Sequence, residues 1–247
     1  MNLLLALLLI APSAGAASAA KAKTPKTWDV RLRKYKGDVD VRFSGTKAWI
    51  RPERNIPLEQ GDEIRVGKKG YAEISFGADS IVHLRADASL VIEDTRLDSP
   101  SLYLKFGTLL QKIKSLKFLR KRYSSSGMTW RVRSKAAHAA VRGTEFGVQV
   151  SADGKMTAGV FDEGQVDLVS AKGGAVARLK PNNEAAVDPD GELGPVGPLS
   201  DLLAYRVHMR SLRKKLLAIQ RRYRVLPIQK RRQLREALRK KRLKDKE

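Results

Sequence analysis

The twelve residues AAVRGTEFGVQV, at 139–150, set Arg142, Gly143 and Thr144 between two apolar runs. An arginine and a hydroxyl beside a glycine suit three roles: an active site, a ligand cradle, or a corner between strands. Nucleophilic catalysis needs a serine, threonine or cysteine beside a histidine that a carboxylate orients. Of the three histidines, His83 alternates inside a strand-like run, His138 sits among small residues and His208 lies in a helical tail. None has a metal-ligand spacing, and a chain without cysteine lacks the usual donors of a structural zinc site. The segment GKKGYAE is too short for a phosphate loop and has no Ser or Thr after its lysine. Asp38, Asp40, Asp62, Asp79 and Glu163 fall mainly at turns, where their short side chains hydrogen-bond the backbone. The residue types therefore predict a protein that is not an enzyme, with neither metal nor cofactor.

A corner is the better reading of the motif Arg142, Gly143, Thr144, Glu145 and Phe146. Glycine permits a bend or a close backbone approach, and a threonine hydroxyl bonds locally. Arg142 is expected to span backbone carbonyls or to pair with an acid such as Glu145 or Glu163.

The elements around this corner read as strands. From Gly37 to about Val187, runs of four to seven residues such as GDVDVRF, AWIRP, DEIRVG, SIVHLR, TWRVRS and QVDLVS alternate apolar and polar residues between turns. Their spacing predicts a mainly β protein, an antiparallel β-sandwich or a stacked-hairpin solenoid, followed by a C-terminal α-helical arm. The expected organisation is a secretory signal at 1–20, a linker at 21–34, the β-domain at 35–190, a Pro/Gly linker at 191–199 and a basic helical arm at 200–247. The apolar run from Leu3 to Ala11 covers about 14 Å as a helix, too short for a bilayer core of about 30 Å. It suits a signal peptide cleaved after Ala17 or Ala20, with an uncleaved anchor over Leu3 to Ala20 as the alternative. Export predicts a periplasmic or secreted protein, and with no cysteine its fold must rest on packing alone.

Charge is the other strong signal. The 247 residues hold 49 Lys+Arg against 26 Asp+Glu, a net +23, which attracts polyanions without selecting one. One concentration lies in SLKFLRKRYSSSGM and the strand after it, read as a long basic loop. Lys117, Arg120, Lys121, Arg122, Arg131 and Arg133 are its candidate binding residues. The other is the tail from Asp201, where 18 Lys/Arg face 4 Asp/Glu. Ser200 is the expected N-cap. Leu202, Tyr205, Met209, Leu212, Leu216, Ile219, Tyr223 and Leu226 then recur at heptad spacing, and Pro227 breaks the arm into two helices. That seam is expected to pack on the β-domain or on a second copy of the chain, making a homo-oligomer one outcome. Its outward basic face remains available to an anion.

Taken together, GDVDVRF, LEQGDEIRVGKKGYAEISFGADSIVHLRADASLVIED, LYLKFGTLL, and AAVRGTEFGVQV with GKMTAGVFDEGQVDLV resemble the FecR domain family over about residues 35 to 190. The resemblance implies an all-β extracytoplasmic domain that binds protein partners. In signalling members it relays a cue from an outer-membrane receptor to a sigma factor. Here only two residues precede the apolar run, and a basic tail is added. The expected role is thus a cell-envelope protein-binding or scaffold module. The alternatives are a signalling accessory touching a receptor's periplasmic domain, or a binder of anionic glycan, lipid or nucleic acid.

Overall fold

The computed structural model describes residues 27–123, 128–142 and 145–244. The expected signal segment, the Ser-Gly run after Tyr123, and Gly143 with Thr144 lie outside the described residues.

Two sheets built from alternating apolar and polar residues face each other. The first runs in the order β3 (Ile56–Leu58), β1 (Val30–Lys36), β5 (Tyr71–Phe76), β6 (Ser80–Leu84), β8 (Ser101–Ile113), β11 (Glu145–Val150), β12 (Met156–Val160), β15 (Asn183–Val187), β16 (Gly197–Pro198). The second runs β2 (Val39–Arg42), β4 (Glu63–Val66), β7 (Ala88–Asp94), β8 again, β9 (Trp130–Arg133), β10 (Ala137–Val141), β13 (Val166–Ser170), β14 (Val176–Leu179). These pairings are antiparallel apart from β8 with β9, which is parallel. β8 belongs to both sheets: residues 101–106 pair with β7, and the stretch from Gly107 onward pairs with β11 and β6. The strand changes sheet at Gly107, whose φ is +92°.

The core lies between the sheets. Alternation sends Leu32, Ile74, Phe76, Val82 and Leu84 inward from the first sheet, and Val41, Ile64, Leu90, Leu102 and Val132 inward from the second. Each is fully buried. Trp28, Phe76 and Trp130 meet edge to face at one end of this core, with ring centroids 4.9 to 6.5 Å apart. Such pairs add to their area burial.

Several segments differ from the sequence expectation. Residues 27–34, expected as linker, carry Trp28 and most of β1, so the sandwich starts further upstream. AWIRP is no strand and contributes one bridge, Ile50 to Val41. The basic segment after β8, expected as a loop, opens with helix α1 (Leu116–Tyr123). Its Leu119 is fully buried, and Tyr123 lies 5.1 Å from Trp28 between ring centroids. Two turns are too short for helical periodicity to stand out from a run of basic residues. The Pro/Gly segment at 191–199 is pinned to the sheet edge by the Val187 to Leu193 bridge and by β16.

The arm follows as a 3-10 turn (Leu203–Tyr205), α2 (Arg206–Arg222) and α3 (Ile228–Lys244), with Pro227 between the helices. Ser200 does not cap α2. Its hydroxyl donates to Glu184 Oε1 on β15 at 2.6 Å, and the same carboxylate accepts the N–H groups of Asp201 (2.9 Å) and Leu202 (3.1 Å). A sheet carboxylate thereby satisfies the free donors at the start of the arm.

Candidate functional site

Each strand of the first sheet turns alternate residues away from the core, and the arm covers this outer face. Ile81 of β6, Leu110 of β8 and Phe161 form a second apolar cluster with Leu199, Leu202, Met209, Leu212, Leu216 and Ile219. Tyr205 and Tyr223 border it half-buried. The seam thus meets the sandwich of its own chain, while Leu226, at its end, is half-buried and donates its N–H to Asp29. Two glycines make the seat: a Cβ on Gly159 would lie 2.8 Å from both Leu199 Cδ2 and Leu202 Cδ1, and one on the paired Gly147 3.5 Å from Leu202 Cδ1.

Charges frame the apolar strip. Glu145, with no exposed side-chain surface, takes both arms of the Arg213 fork and Lys112 Nζ at 3.0 Å. Arg213 also reaches Asp162 at 2.7 Å. Lys215 pairs with buried Glu73. The Asp29 carboxylate accepts from Tyr223 Oη (2.8 Å), Leu226 N (3.1 Å) and Arg31 Nε (3.0 Å). On α3, Leu238 enters the main core and Arg235 clamps Asp62, a fully buried carboxylate that also accepts the Ser44 and Glu59 N–H groups. A fork on a carboxylate fixes orientation as well as charge. The tail's excess of basic residues is therefore partly answered by acids on the sheet.

In the corner motif Arg142 pairs with an acid, and the acid is Asp167, at 3.1 Å. Glu145 faces the arm and Glu163 pairs with Lys112, whereas Phe146 points into the main core. Asp79 lies in the turn between β5 and β6, as expected, and its buried carboxylate accepts from Arg122 (3.1 Å) and Tyr123 (2.7 Å) of α1.

The six candidate binding residues divide between two places. Lys117, Arg120, Lys121 and Arg122 lie on α1. Arg122 is tied to Asp79 and Arg120 to the Met128 carbonyl at 3.2 Å, which leaves Lys117 and Lys121 exposed. Arg131 and Arg133 lie on β9, on the outer face of the second sheet, which the arm leaves open. There they line an open hollow of about 500 Å³ with Glu93, Ser101 and His138. Arg133 donates to Glu93 Oε1 at 2.7 Å and Ser101 to Glu93 Oε2 at 2.5 Å. Burial, then the charges of Arg133 and Arg131, push His138 below its ordinary value, so it stands neutral at neutral pH.

His83 of β6 and His208 of α2 come together where the arm meets the first sheet, ring centroids 6.2 Å apart. His83 stacks on Tyr71 at 5.2 Å, and His208 contacts Arg85 at 3.0 Å. Among the described residues no cluster of His, Asp or Glu could hold a metal ion.

The arm contacts carry a pH dependence. Burial is the largest influence on Asp29 and acts upward, but Arg31, the Leu226 N–H and the Tyr223 hydroxyl together outweigh it, so the carboxyl titrates below its usual 3.8. Glu184 follows the same pattern: burial acts upward, Ser200 and the N–H groups of Asp201 and Leu202 win, and it titrates below 4.5. A carboxylate with a lowered folded value stabilises above its unfolded value and loses that contribution as pH falls through the folded one. Arm docking is expected to hold from neutrality down to about pH 5 and then to weaken. Amide exchange of α2, corrected for intrinsic rates, checks this; equal protection at pH 7 and about pH 3 would refute it.

Residues 62–167 match the family model described as FecR protein. No curated protein sequence matches the chain. Among solved structures, the chain is similar to two crystal structures of a "putative anti-sigma factor" from Parabacteroides distasonis ATCC 8503, at 21% identity and a TM-score of 0.46 in each. The similarity covers 57% of this chain and 62% of that one, so it spans less than two thirds of the solved protein. No helix among the described residues is long and apolar enough to cross a membrane.

Proposed function

Because the chain carries a FecR domain over residues 62–167, we propose that it is an exported, non-enzymatic protein-binding module of the cell envelope. The observation that carries this reading is the unequal treatment of the two sheets. The arm seals the outer face of the first, with buried leucines and paired charges. The outer face of the second, with Arg131, Arg133 and His138 around an open hollow, is left to a partner.

Mixed charge suits a protein surface more than a polyanion, because Glu93 and Asp94 stand beside the two arginines. Acids there repel a phosphate-rich polymer while giving a protein partner complementary pairs. A photoreactive residue at Tyr103, which neighbours Arg133 on this face, is expected to capture a discrete protein from envelope fractions. Arg131→Glu with Arg133→Glu should abolish that capture. A crosslink unchanged by the reversal, or no crosslink at all, would overturn the assignment.

A further inference from the structure

A second stripe runs along α2 on the side turned away from the sandwich. Val207, Arg210, Lys214, Leu217 and Arg221 recur at spacings of 3, 4, 3 and 4. At 3.6 residues per turn they lie opposite Met209, Leu212, Leu216 and Ile219. Val207 is 71% exposed and Leu217 57%.

Of the seven basic residues of α2, Arg206, Arg213 and Lys215, near the sheet, each have an acidic partner. Arg210, Lys214 and Arg221 on the stripe, and Arg222 beside it, are exposed and form no ion pair among the described residues. Solubility alone would explain the charges but not two bulky apolar side chains set among them.

We propose that this outer face of α2 binds the surface of an anionic phospholipid bilayer. Basic side chains answer headgroup phosphates, each strengthening binding about fivefold, and exposed valine and leucine enter the boundary between headgroups and acyl chains. A soluble polyanion would use the charges and gain nothing from the apolar residues. Since the seam side of α2 is occupied by the sandwich, contact with the bilayer is shallow and reversible. It would also turn the open face of the second sheet away from the membrane, since α2 covers the opposite side of the sandwich.

The test is flotation of the full chain with vesicles of phosphatidylglycerol and phosphatidylcholine in equal parts, against vesicles of phosphatidylcholine alone. The apolar N-terminal run contributes similarly to both, so their ratio is the readout. The wild type is expected to prefer the anionic vesicles about a hundredfold at low salt, and much less at high salt. Arg210→Ser, Lys214→Ser and Arg221→Ser together should remove the preference, while Lys117→Ser with Lys121→Ser on α1 should keep it. Val207→Ser with Leu217→Ser should weaken binding to anionic vesicles about tenfold and leave binding to heparin unchanged. All these positions are exposed, and unchanged circular dichroism would confirm folding. Equal partition into both vesicles, or a triple variant that keeps the preference, overturns the proposal. So does indifference to the apolar pair, which would identify a reader of polyanion charge alone.

Discussion

Leu212→Asp with Leu216→Asp is expected to lift α2 off the first sheet while leaving the sandwich folded. The two leucines are 1% and 4% exposed and belong to the outer cluster with Ile81, Leu110 and Phe161. Each substitution forfeits roughly 2 kcal/mol of apolar burial and places a carboxylate where desolvation disfavours its charge. Together they remove about 5 kcal/mol or more. The ion pairs at the border cannot hold the helix by themselves: Lys215 and Arg213 each keep over a third of their side chain in water, and once the apolar strip opens Glu73 and Glu145 regain hydration, so these pairs fall to the about 1 kcal/mol or less of exposed ones. The main core is a separate cluster containing neither leucine, so β1 to β14 should persist. The expected result is rapid tryptic cleavage within α2, a larger hydrodynamic radius and reduced helix content, with amides of β6, β8 and β11 still protected. Wild-type size and helix content in the double variant would sink the idea that this seam holds the arm.

The seam was legible in the sequence because a heptad repeat over eight apolar residues is a long signal. Its alternatives, a sandwich of the same chain or a second copy, could not be separated. The separating information lies in Gly147, Gly159, Glu145, Glu73 and Glu184, scattered over β11, β12, β5 and β15. Each looks ordinary in its own strand. Only the register that sets Gly147 opposite Gly159 creates a seat for Leu202. Strands rich in Val, Ile and Phe are evident, whereas β15 (NEAAV) escapes notice and β10 (AHAAV) shows only as the short apolar run before Arg142, because alanine has little strand preference. β1 (VRLRKYK) does alternate, but it lies upstream of the first turn signal, so most of it falls within the expected linker.

The candidate binding residues show a related limit. Lys117 to Arg122 and Arg131 with Arg133 form one basic run in sequence. The structure places them on a helix and on an open sheet face, and ties Arg122, Arg120 and Arg133 to partners within the chain. Net charge counts residues and cannot tell an answered charge from a free one. In α2 this distinction separates the side that docks the arm from the side that faces outward.

Gly107→Ala is expected to cost about 3–5 kcal/mol, a large share of the stability of a domain of this size. At φ +92° an L side chain is strained by roughly 1–2 kcal/mol. The added Cβ would also lie 2.4 Å from Ala88 Cβ and 2.5 Å from the Asp87 carbonyl oxygen. Neither neighbour is the movable end of a long side chain. Asp87 is itself at a positive φ of 49°, and Ala88 begins β7, held by pairing to Val66 of β4. Relief would have to come from β8, the strand common to both sheets. There the β7 register already shifts between Ser89 and Leu90, opposite Phe106 and Leu104. The change is expected to lower the thermal midpoint by about 10 °C, at 2–4 °C per kcal/mol for a chain of this length. Gly45→Ala supplies the contrast: φ is +74°, with nothing within 4 Å of the added Cβ, so only the backbone strain of roughly 1–2 kcal/mol applies. Equal melting shifts in the two variants would show that backbone conformation, and not the close passage of β8 over β7, makes glycine necessary where the strand changes sheet.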